Sequence, residues 1–253
     1  MNNILNSIVG TMIPFVGTSL GSGFVFFLKN KINEKIQKIL IGIAAGVMIA
    51  ASIWSLILPA VEMTEKQNVI PWVPVVLGFI AGITFLLLTS YMADEIEKKR
   101  KGKKMNMLLF SVTLHNIPEG MAVGVCFAGF LNGNMGIELL EAMLLAIGIA
   151  IQNIPEGAII SMPLKIDGMS KKKSFYYGIL SGIVEPISAL LTIVLLNIIV
   201  PLLPYLLSFA AGAMIYVVIE ELIPEVHSKD KSKLGVIGVT IGFVLMMILD
   251  LSF

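Results

Sequence analysis

The chain has 253 residues, of which 57% are hydrophobic and only 14% are charged, and its mean hydropathy is +0.91. Soluble domains carry about a quarter charged residues, so this composition excludes a disordered chain and argues against a soluble enzyme. It predicts an integral membrane protein. The formal net charge of +1 implies no nucleic-acid partner. The single cysteine, Cys126, cannot form an internal disulfide and is predicted to be a small apolar packing residue.

Eight segments have the length and composition of membrane-crossing helices. A helix that crosses the ~30 Å hydrocarbon core needs about 20 mostly apolar residues. The segments, here named helices 1 to 8, are Ile4–Leu28, Ile39–Val61, Trp72–Met92, Met107–Leu131, Leu139–Leu164, Phe175–Val200, Leu203–Ile223 and Leu234–Leu251. The roughly 10-residue alternation of membrane β-strands is absent. The predicted fold class is therefore an all-α integral membrane protein, with residues 1–253 as one eight-helix transmembrane domain.

The basic residues predict the orientation of these helices. Seventeen of the 18 Lys and Arg residues follow helices 1, 3, 5 and 7, and only Lys66 lies on the other side. Cytoplasmic loops carry the excess of Lys and Arg. Both termini are therefore predicted to lie outside the cytoplasm. No Lys precedes the apolar run of helix 1, so that segment is predicted to remain as a membrane helix rather than a cleaved signal peptide.

Two internal repeats connect distant helices. Residues 44–49 of helix 2 (AAGVMI) match residues 210–215 of helix 7 (AAGAMI), and residues 115–120 of helix 4 (HNIPEG) match residues 152–157 of helix 5 (QNIPEG). Each matched pair is separated by an odd number of membrane crossings, so its members run in opposite directions. Matched segments of opposed direction indicate inverted-topology repeats, here in a 3+2+3 arrangement, which are common in transporters.

Polar side chains interrupt helices 4, 5 and 6 well inside their apolar runs. They are His115, Asn116, Glu119, Gln152, Asn153, Glu156 and Glu185. Counted from the nearest basic loop residue at 1.5 Å per residue, the three glutamates lie roughly 22, 13 and 18 Å deep. An acidic residue near a helix centre costs about 2.5–3.5 kcal/mol on insertion. No Lys or Arg lies in any of the eight predicted helices.

The carboxylates are therefore either protonated or neutralised by a cation. His115 and Glu119 are four residues apart and share a helix face, as do Gln152 and Glu156. Imidazole, carboxylate and amide oxygen are suitable ligands for a divalent first-row metal. The pattern indicates a metal site, and a polar network that only joins the helices is the alternative. Gly120 and Gly157, which end the two motifs, are predicted to allow close helix approach.

These motifs resemble those of the ZIP family of divalent metal transporters. The resemblance covers the whole chain: eight helices, the paired motifs on helices 4 and 5, and Glu185-Pro186 on helix 6. Gln152, together with residues 220–225 (EELIPE), is most similar to the bacterial GufA-type branch.

The resemblance implies a binuclear site midway through the membrane, with two ions per protomer. One ion would be held by His115, Glu119, Gln152, Glu156 and Glu185. The second would use Asn116 and Asn153 with the same three glutamates as bridges. The transported ion would be Zn²⁺, with Cd²⁺, Fe²⁺ and Mn²⁺ as further candidates. No catalytic residue and no organic cofactor is expected.

The resemblance also implies a pathway, a mechanism and partners. Residues of the outer path would be Met48, Ser52, Ser55 and Glu62, and residues of the inner path would be Glu220, Glu221, Glu225 and His227. Helices 1, 4, 5 and 6 would slide as an elevator against helices 2, 3, 7 and 8, with Gly10, Gly17, Gly21 and Gly23 of helix 1 as a smooth sliding surface. The expected partners are divalent metal ions and the lipid bilayer of the cell membrane, with a homodimer as the candidate assembly.

Two other classes of function remain open at the level of sequence. An intramembrane metallohydrolase could use His115 and Glu119, although the usual zinc-protease signature needs a second His on the same helix. A metal channel or a proton-linked exporter would use the same buried ligands. The sequence is compatible with transport in either direction.

Overall fold

The structure is a computed structural model, and it describes residues 2–27, 34–67, 69–99, 104–133, 137–166, 168–195, 200–227 and 233–251. Every regular element within these ranges is helical. The all-α prediction is therefore confirmed for the described part of the chain. Seven of its helices are long and apolar enough to cross a membrane. The remaining predicted segment, Met107–Leu131, lies inside a helix of 29 residues.

The observed helices are longer than the predicted apolar segments where charged ends extend them. Their bounds are Asn2–Gly23 for helix 1, Glu34–Ala51 continuing through Ser52–Ile57 and Leu58–Lys66 for helix 2, Trp72–Lys99 for helix 3, Lys104–Asn132 for helix 4, Leu139–Ile166 for helix 5, Lys171–Gly182 and Val184–Val194 for helix 6, Leu203–Val217 continuing through Val218–Leu222 and Ile223–His227 for helix 7, and Leu234–Leu251 for helix 8. Short 3₁₀ turns, Phe24–Phe26 and Val200–Leu202, follow helix 1 and precede helix 7.

Helix 6 is interrupted beside one of the predicted ligands. Pro186 has no N–H group and cannot donate to the carbonyl of Gly182. The first segment ends at Gly182, and the second begins at Val184 after a turn at Ile183. Glu185 therefore lies in the first turn of the second segment. The unpaired N–H groups and the dipole at a helix N-terminus favour negative charge there.

Helices 2 and 7 each contain a π-helical turn, Ser52–Ile57 and Val218–Leu222. Each turn begins four residues after the methionine of the matched motif, Met48 in helix 2 and Met214 in helix 7. π-Helical turns of this kind occur mostly as single insertions and often near functional sites. The same local irregularity therefore follows both matched sequences.

The helices form two bundles, each held by close backbone contacts. Helices 2 and 8 and helices 3 and 7 form the main pairs of one bundle, and helices 1 and 5 and helices 4 and 6 form those of the other. A Cβ atom on Gly46 would lie 2.6 Å from the nitrogen of Phe243, and one on Gly124 would lie 2.8 Å from the Cα of Ala189. Glycine permits this approach in both bundles. Helices 2 and 5, and helices 7 and 4, join the bundles.

Three glycines of helix 1, Gly10, Gly17 and Gly21, do not form a sliding surface, and the prediction is wrong for them. A Cβ on Gly17 would lie 2.7 Å from the Cα of Ala150, one on Gly21 would meet the backbone of Ile154, and one on Gly10 would meet the ring of Phe127. These contacts are with helices 4 and 5 of the same bundle. Helix 1 is therefore packed closely against its own bundle, against backbone at Gly17 and Gly21 and against an aromatic ring at Gly10.

Large apolar side chains cover the outer surface of the bundle. Leu20 of helix 1 is 59% exposed, Leu87 of helix 3 is 53% exposed and Ile248 of helix 8 is 55% exposed. Apolar surface of this extent marks contact with lipid or another apolar partner. Cys126 is buried in the core, as predicted for a packing residue.

Candidate metal-ion site

The structure buries the described side chains of the predicted site. Asn116, Gln152, Asn153 and Glu185 are fully buried, Glu119 is 1% exposed and Glu156 is 8% exposed. Gly120 and Gly157 allow the close approach predicted for them. A Cβ on Gly120 would lie 2.7 Å from the Cα of Glu185, and one on Gly157 would lie 2.8 Å from the nitrogen of Ser22 in helix 1. Helices 1, 4, 5 and 6 therefore meet around these polar groups.

Hydrogen bonds join the polar groups across the helices. The Nε2 of Gln152 donates to the Oε1 of Glu119 at 2.7 Å, which links helix 5 to helix 4. The Nδ2 of Asn116 donates to the Oε1 of Glu185 at 3.0 Å and to the carbonyl of Ser181 at 3.1 Å, which links helix 4 to helix 6. The carboxylates also interact electrostatically, Glu119 with Glu185 and Glu156 with Glu119. The three motifs thus form one connected group.

This group has more buried acceptors than donors. Six of its buried oxygen atoms have no hydrogen-bond partner within the described part of the chain: Asn116 Oδ1, Glu119 Oε2, Gln152 Oε1, Asn153 Oδ1, Glu156 Oε2 and Glu185 Oε2. Against them stands one described buried donor without a well-formed hydrogen bond, the Nδ2 of Asn153, which lies near the carboxylates of Glu119 and Glu185. Most buried polar atoms in proteins have a partner, and an unsatisfied one costs about 1–3 kcal/mol. A bound cation would satisfy several of these oxygens at once, and protonation of the carboxylates would satisfy some of them singly.

Carboxylates alone do not make the site. Among the described residues, no three His, Cys, Asp or Glu side chains stand close enough together to hold one metal ion. The amide oxygens of Asn116, Gln152 and Asn153 would therefore have to share in coordination. His115 lies in helix 4 one residue before Asn116, but its side chain is outside the described residues.

The outer-path residues of helix 2 fall into two groups. Met48 and Ser52 are buried, and the hydroxyl of Ser52 donates to the carbonyl of Met48 at 2.7 Å within the helix. Ser55 and Glu62 line a cavity of about 210 Å³. Its acidic and thiol groups come from four different helices: Glu62, Cys126, Glu141 and Asp250.

Asp250 was not among the residues predicted from the sequence. Its Oδ1 accepts a hydrogen bond of 2.7 Å from the hydroxyl of Ser55, and its Oδ2 is buried without a partner among the described residues. An acidic residue near the end of an apolar helix has the same sequence signature as a residue at the membrane surface. The pairing with Ser55 becomes visible only when helices 2 and 8 are packed together.

The inner-path residues of helix 7 differ in environment. Glu220 is exposed, whereas Glu221 is partly buried and interacts electrostatically with Glu156. Glu225 accepts a 3.5 Å hydrogen bond from the Nε2 of Gln37 on helix 2. The side chain of His227 lies outside the described residues. Of this set, Glu221 is thus the residue that lies near enough to Glu156 for their charges to repel.

A second residue missed at the level of sequence is Thr18 of helix 1. It is fully buried, and its hydroxyl donates to the Oε1 of Glu185 at 2.7 Å. A single threonine in an apolar helix belongs to no sequence motif that would indicate a contact with Glu185. The available signal was the spacing of Ser7, Thr11, Thr18 and Ser22, which places four hydroxyl side chains on one helix face.

Long apolar helices around a cluster of buried oxygen atoms define a membrane protein with a polar interior. The comparisons with known proteins agree with this class. The family model described as ZIP zinc transporter matches residues 96–250. The zinc transporter ZIP11 of Xenopus tropicalis is 33% identical, over 98% of this chain and 97% of the relative. The zinc transporter GufA of Myxococcus xanthus is 32% identical over 97% and 98%, and the zinc transporter ZIPB of Bordetella bronchiseptica is 33% identical over 96% and 80%.

The chain therefore belongs to the ZIP family of zinc transporters. The resemblance in its motifs is confirmed, including the similarity to GufA. The family is one of transporters rather than enzymes, so the metallohydrolase alternative is wrong.

Proposed function

We propose that this protein is a secondary transporter that moves Zn²⁺ across the membrane into the cytoplasm through the buried site of helices 4, 5 and 6. The observation that carries the proposal is the group of six buried oxygens without a described donor. A dication that has lost its water needs several oxygen or nitrogen ligands, and this group supplies them. Membership of the zinc transporter family supports the choice of ion.

The proposed site holds two ions. His115, Glu119, Gln152, Glu156 and Glu185 are the proposed ligands of one, and Asn116 and Asn153 with the three glutamates are those of the other. The three glutamates do not stand close enough together in the structure to hold one ion, so the proposal requires their side chains to converge when the ions bind. Three carboxylates against two dications leave a net charge of +1. Thiolate ligands, which make tight structural zinc sites, are absent from this set, and that absence suits an ion that must be released. Cd²⁺, Fe²⁺ and Mn²⁺ have the same ligand preferences in part and are proposed as further substrates.

The proposed topology has eight crossings in inverted repeats, with both termini outside the cytoplasm. The distribution of Lys and Arg supports this orientation. The helix pairing supports the repeats, because exchanging helices 1, 2 and 3 with 6, 7 and 8, and helix 4 with 5, turns each observed pair into another observed pair. The matched π-helical turns of helices 2 and 7 add to this support. The proposed location is the cell membrane, where the whole chain forms one transporter domain.

We propose an elevator as the mechanism of alternating access. The described ligands all lie on helices of one bundle, and backbone contacts hold that bundle together. It could therefore move as a unit against helices 2, 3, 7 and 8. Ions would enter by the cavity beside Ser55, Glu62 and Asp250, and leave past Glu221.

Zinc uptake into proteoliposomes tests the function. We expect Glu119→Ala and Glu156→Ala to abolish uptake, because each removes a carboxylate from the buried group. The matched control is Glu34→Ala, which removes an exposed glutamate at the start of helix 2 and should leave uptake unchanged. Full uptake by both buried variants would overturn the proposal.

Counterflow separates the transporter from a channel or an exporter. Vesicles loaded with unlabelled Zn²⁺ should accumulate labelled Zn²⁺ transiently if sites alternate between the two sides. A channel gives no such overshoot, and a proton-linked exporter gives metal movement that collapses when the proton gradient is dissipated. Light scattering of the purified protein in detergent measures whether the proposed homodimer forms.

A further inference from the structure

Helix 1 presents a buried face of four hydroxyl side chains toward the rest of its bundle. Ser7 donates to the carbonyl of Asn3 at 2.9 Å, Thr11 to that of Ile8 at 2.8 Å and Ser22 to that of Thr18 at 2.8 Å. These three hydroxyls are satisfied within the helix, which is the usual arrangement for Ser and Thr in an apolar helix. They need no role beyond packing.

Thr18 departs from this pattern. Its hydroxyl oxygen is 3.4 Å from the carbonyl of Pro14 in the preceding turn, but only 2.7 Å from the Oε1 of Glu185 on helix 6. The shorter contact is a strong O–H to carboxylate hydrogen bond. Thr18 therefore uses its hydroxyl on a residue of the buried site rather than on its own helix.

The bond from Thr18 fixes which oxygen of Glu185 is available. The Oε1 of Glu185 accepts from both Thr18 and Asn116. The Oε2 is buried and has no partner among the described residues. Two donors from two helices hold the carboxylate in one orientation, and turning it would break both bonds. The Oε1 of Glu185 is thus held by two donors, and its Oε2 is left without a hydrogen bond from any described residue.

The packing around Thr18 leaves space for this arrangement. A Cβ on Gly182 would lie 2.8 Å from the Cγ2 of Thr18 and 3.1 Å from the Oε1 of Glu185. The glycine at the end of the first segment of helix 6 is thus what lets helix 1 bring the hydroxyl to the carboxylate.

We propose that Thr18 is a positioning residue of the ion site, which holds the Oε1 of Glu185 so that Oε2 faces the ion. The inference rests on the proposed function of that site. A ligand oriented in advance needs less reorganisation when the ion binds. Groups that hydrogen-bond to metal ligands typically contribute about 10–100-fold to affinity or activity.

Zn²⁺ titration calorimetry on the purified full-length protein in detergent, paired with the KM of uptake, tests the proposal. Thr18→Val keeps the shape of the side chain but removes the donor. We expect the dissociation constant of Zn²⁺ and the KM of uptake each to rise at least about 10-fold. Thr18→Ser keeps the hydroxyl and should bind like the wild type. The matched control is Thr11→Val, which removes a buried hydroxyl of the same helix that bonds only to backbone, and it should leave both constants unchanged.

A purely structural role predicts a different result. Thr18→Val would then lower the melting temperature while the folded protein kept its Zn²⁺ affinity, and this outcome overturns the proposal, as does a Thr18→Ser variant that binds as weakly as Thr18→Val. Thr18→Ala adds no bulk and serves where the valine variant does not fold. Glu185→Ala distinguishes an error in the proposed ion site from an error in the proposed role of Thr18. If it binds Zn²⁺ normally, the proposed site is wrong. If it fails to bind while Thr18→Val and Thr18→Ala bind normally, only the role of Thr18 is wrong.

Discussion

Gly120 is the point where helix 4 touches helix 6 beside the site, so a single added methyl group should separate the two halves of the ligand set. A Cβ on Gly120 would lie 2.7 Å from the Cα of Glu185 and closer still to its carbonyl oxygen and to the hydroxyl of Ser188. Carbon atoms prefer a separation of about 3.5–4.0 Å. Two of the three atoms that the methyl group would meet are backbone atoms of Glu185, so relief requires a backbone shift, and Gly120→Ala should move the helices apart by about 1 Å.

This displacement is large on the scale of the site. The 3.0 Å bond from Asn116 to Glu185 would lengthen to about 4 Å, beyond the range of a hydrogen bond. Overpacking of this kind also lowers stability by about 1–3 kcal/mol. We expect the Zn²⁺ affinity of Gly120→Ala to fall at least about 10-fold, which corresponds to about 1.4 kcal/mol.

Calorimetric titration with Zn²⁺ and thermal unfolding in detergent measure the two effects. The matched control is Gly23→Ala in helix 1, because a Cβ there would lie 3.9 Å from the ring of Phe175, an ordinary contact. Gly23→Ala should retain both affinity and stability. The reasoning is refuted if Gly120→Ala binds Zn²⁺ and unfolds like the wild type.

Three further changes test other parts of the structure. Asp250→Asn removes a charge from the outer cavity but not from the central site, so we expect a several-fold higher KM of uptake with unchanged Zn²⁺ affinity in detergent; an unchanged KM would contradict the entry route. Ser208→Ala removes a buried hydroxyl without a described partner and should stabilise the protein by about 1 kcal/mol in thermal unfolding, whereas a loss of stability would reveal a missed bond. Gly46→Val would drive a side chain into the backbone of Phe243 and should lower the unfolding temperature by several degrees; no change would mean that helices 2 and 8 are not in backbone contact.

The ligands on helices 4, 5 and 6 could be predicted from the sequence because charge in an apolar helix is a strong signal. Glu119 and Glu185 stand in runs without a basic residue, where the cost of burial demands a partner. The repeated Asn-Ile-Pro-Glu-Gly then indicates that helices 4 and 5 contribute residues to the same site. Both inferences need only the order of residues along the chain.

Thr18 and Asp250 could not be predicted in the same way, because each acquires its role from a contact across helices. Threonine hydroxyls normally bond to their own helix, and nothing in the sequence around Thr18 distinguishes it from Thr11. The prediction that Gly10, Gly17 and Gly21 of helix 1 form a sliding surface was wrong for a related reason. Their spacing indicates a smooth face, but only the packing shows that Gly17 and Gly21 press against helix 5 of their own bundle.

The central claim is that buried oxygens of helices 4, 5 and 6 bind the transported dication. Anomalous scattering from crystals of the protein grown with Zn²⁺ tests it most directly. We predict peaks among these three helices, at about 2.0–2.2 Å from the oxygen atoms of Glu119, Glu156 and Glu185. Peaks confined to the outer cavity or the protein surface, with none among the three glutamates at saturating Zn²⁺, would contradict the account.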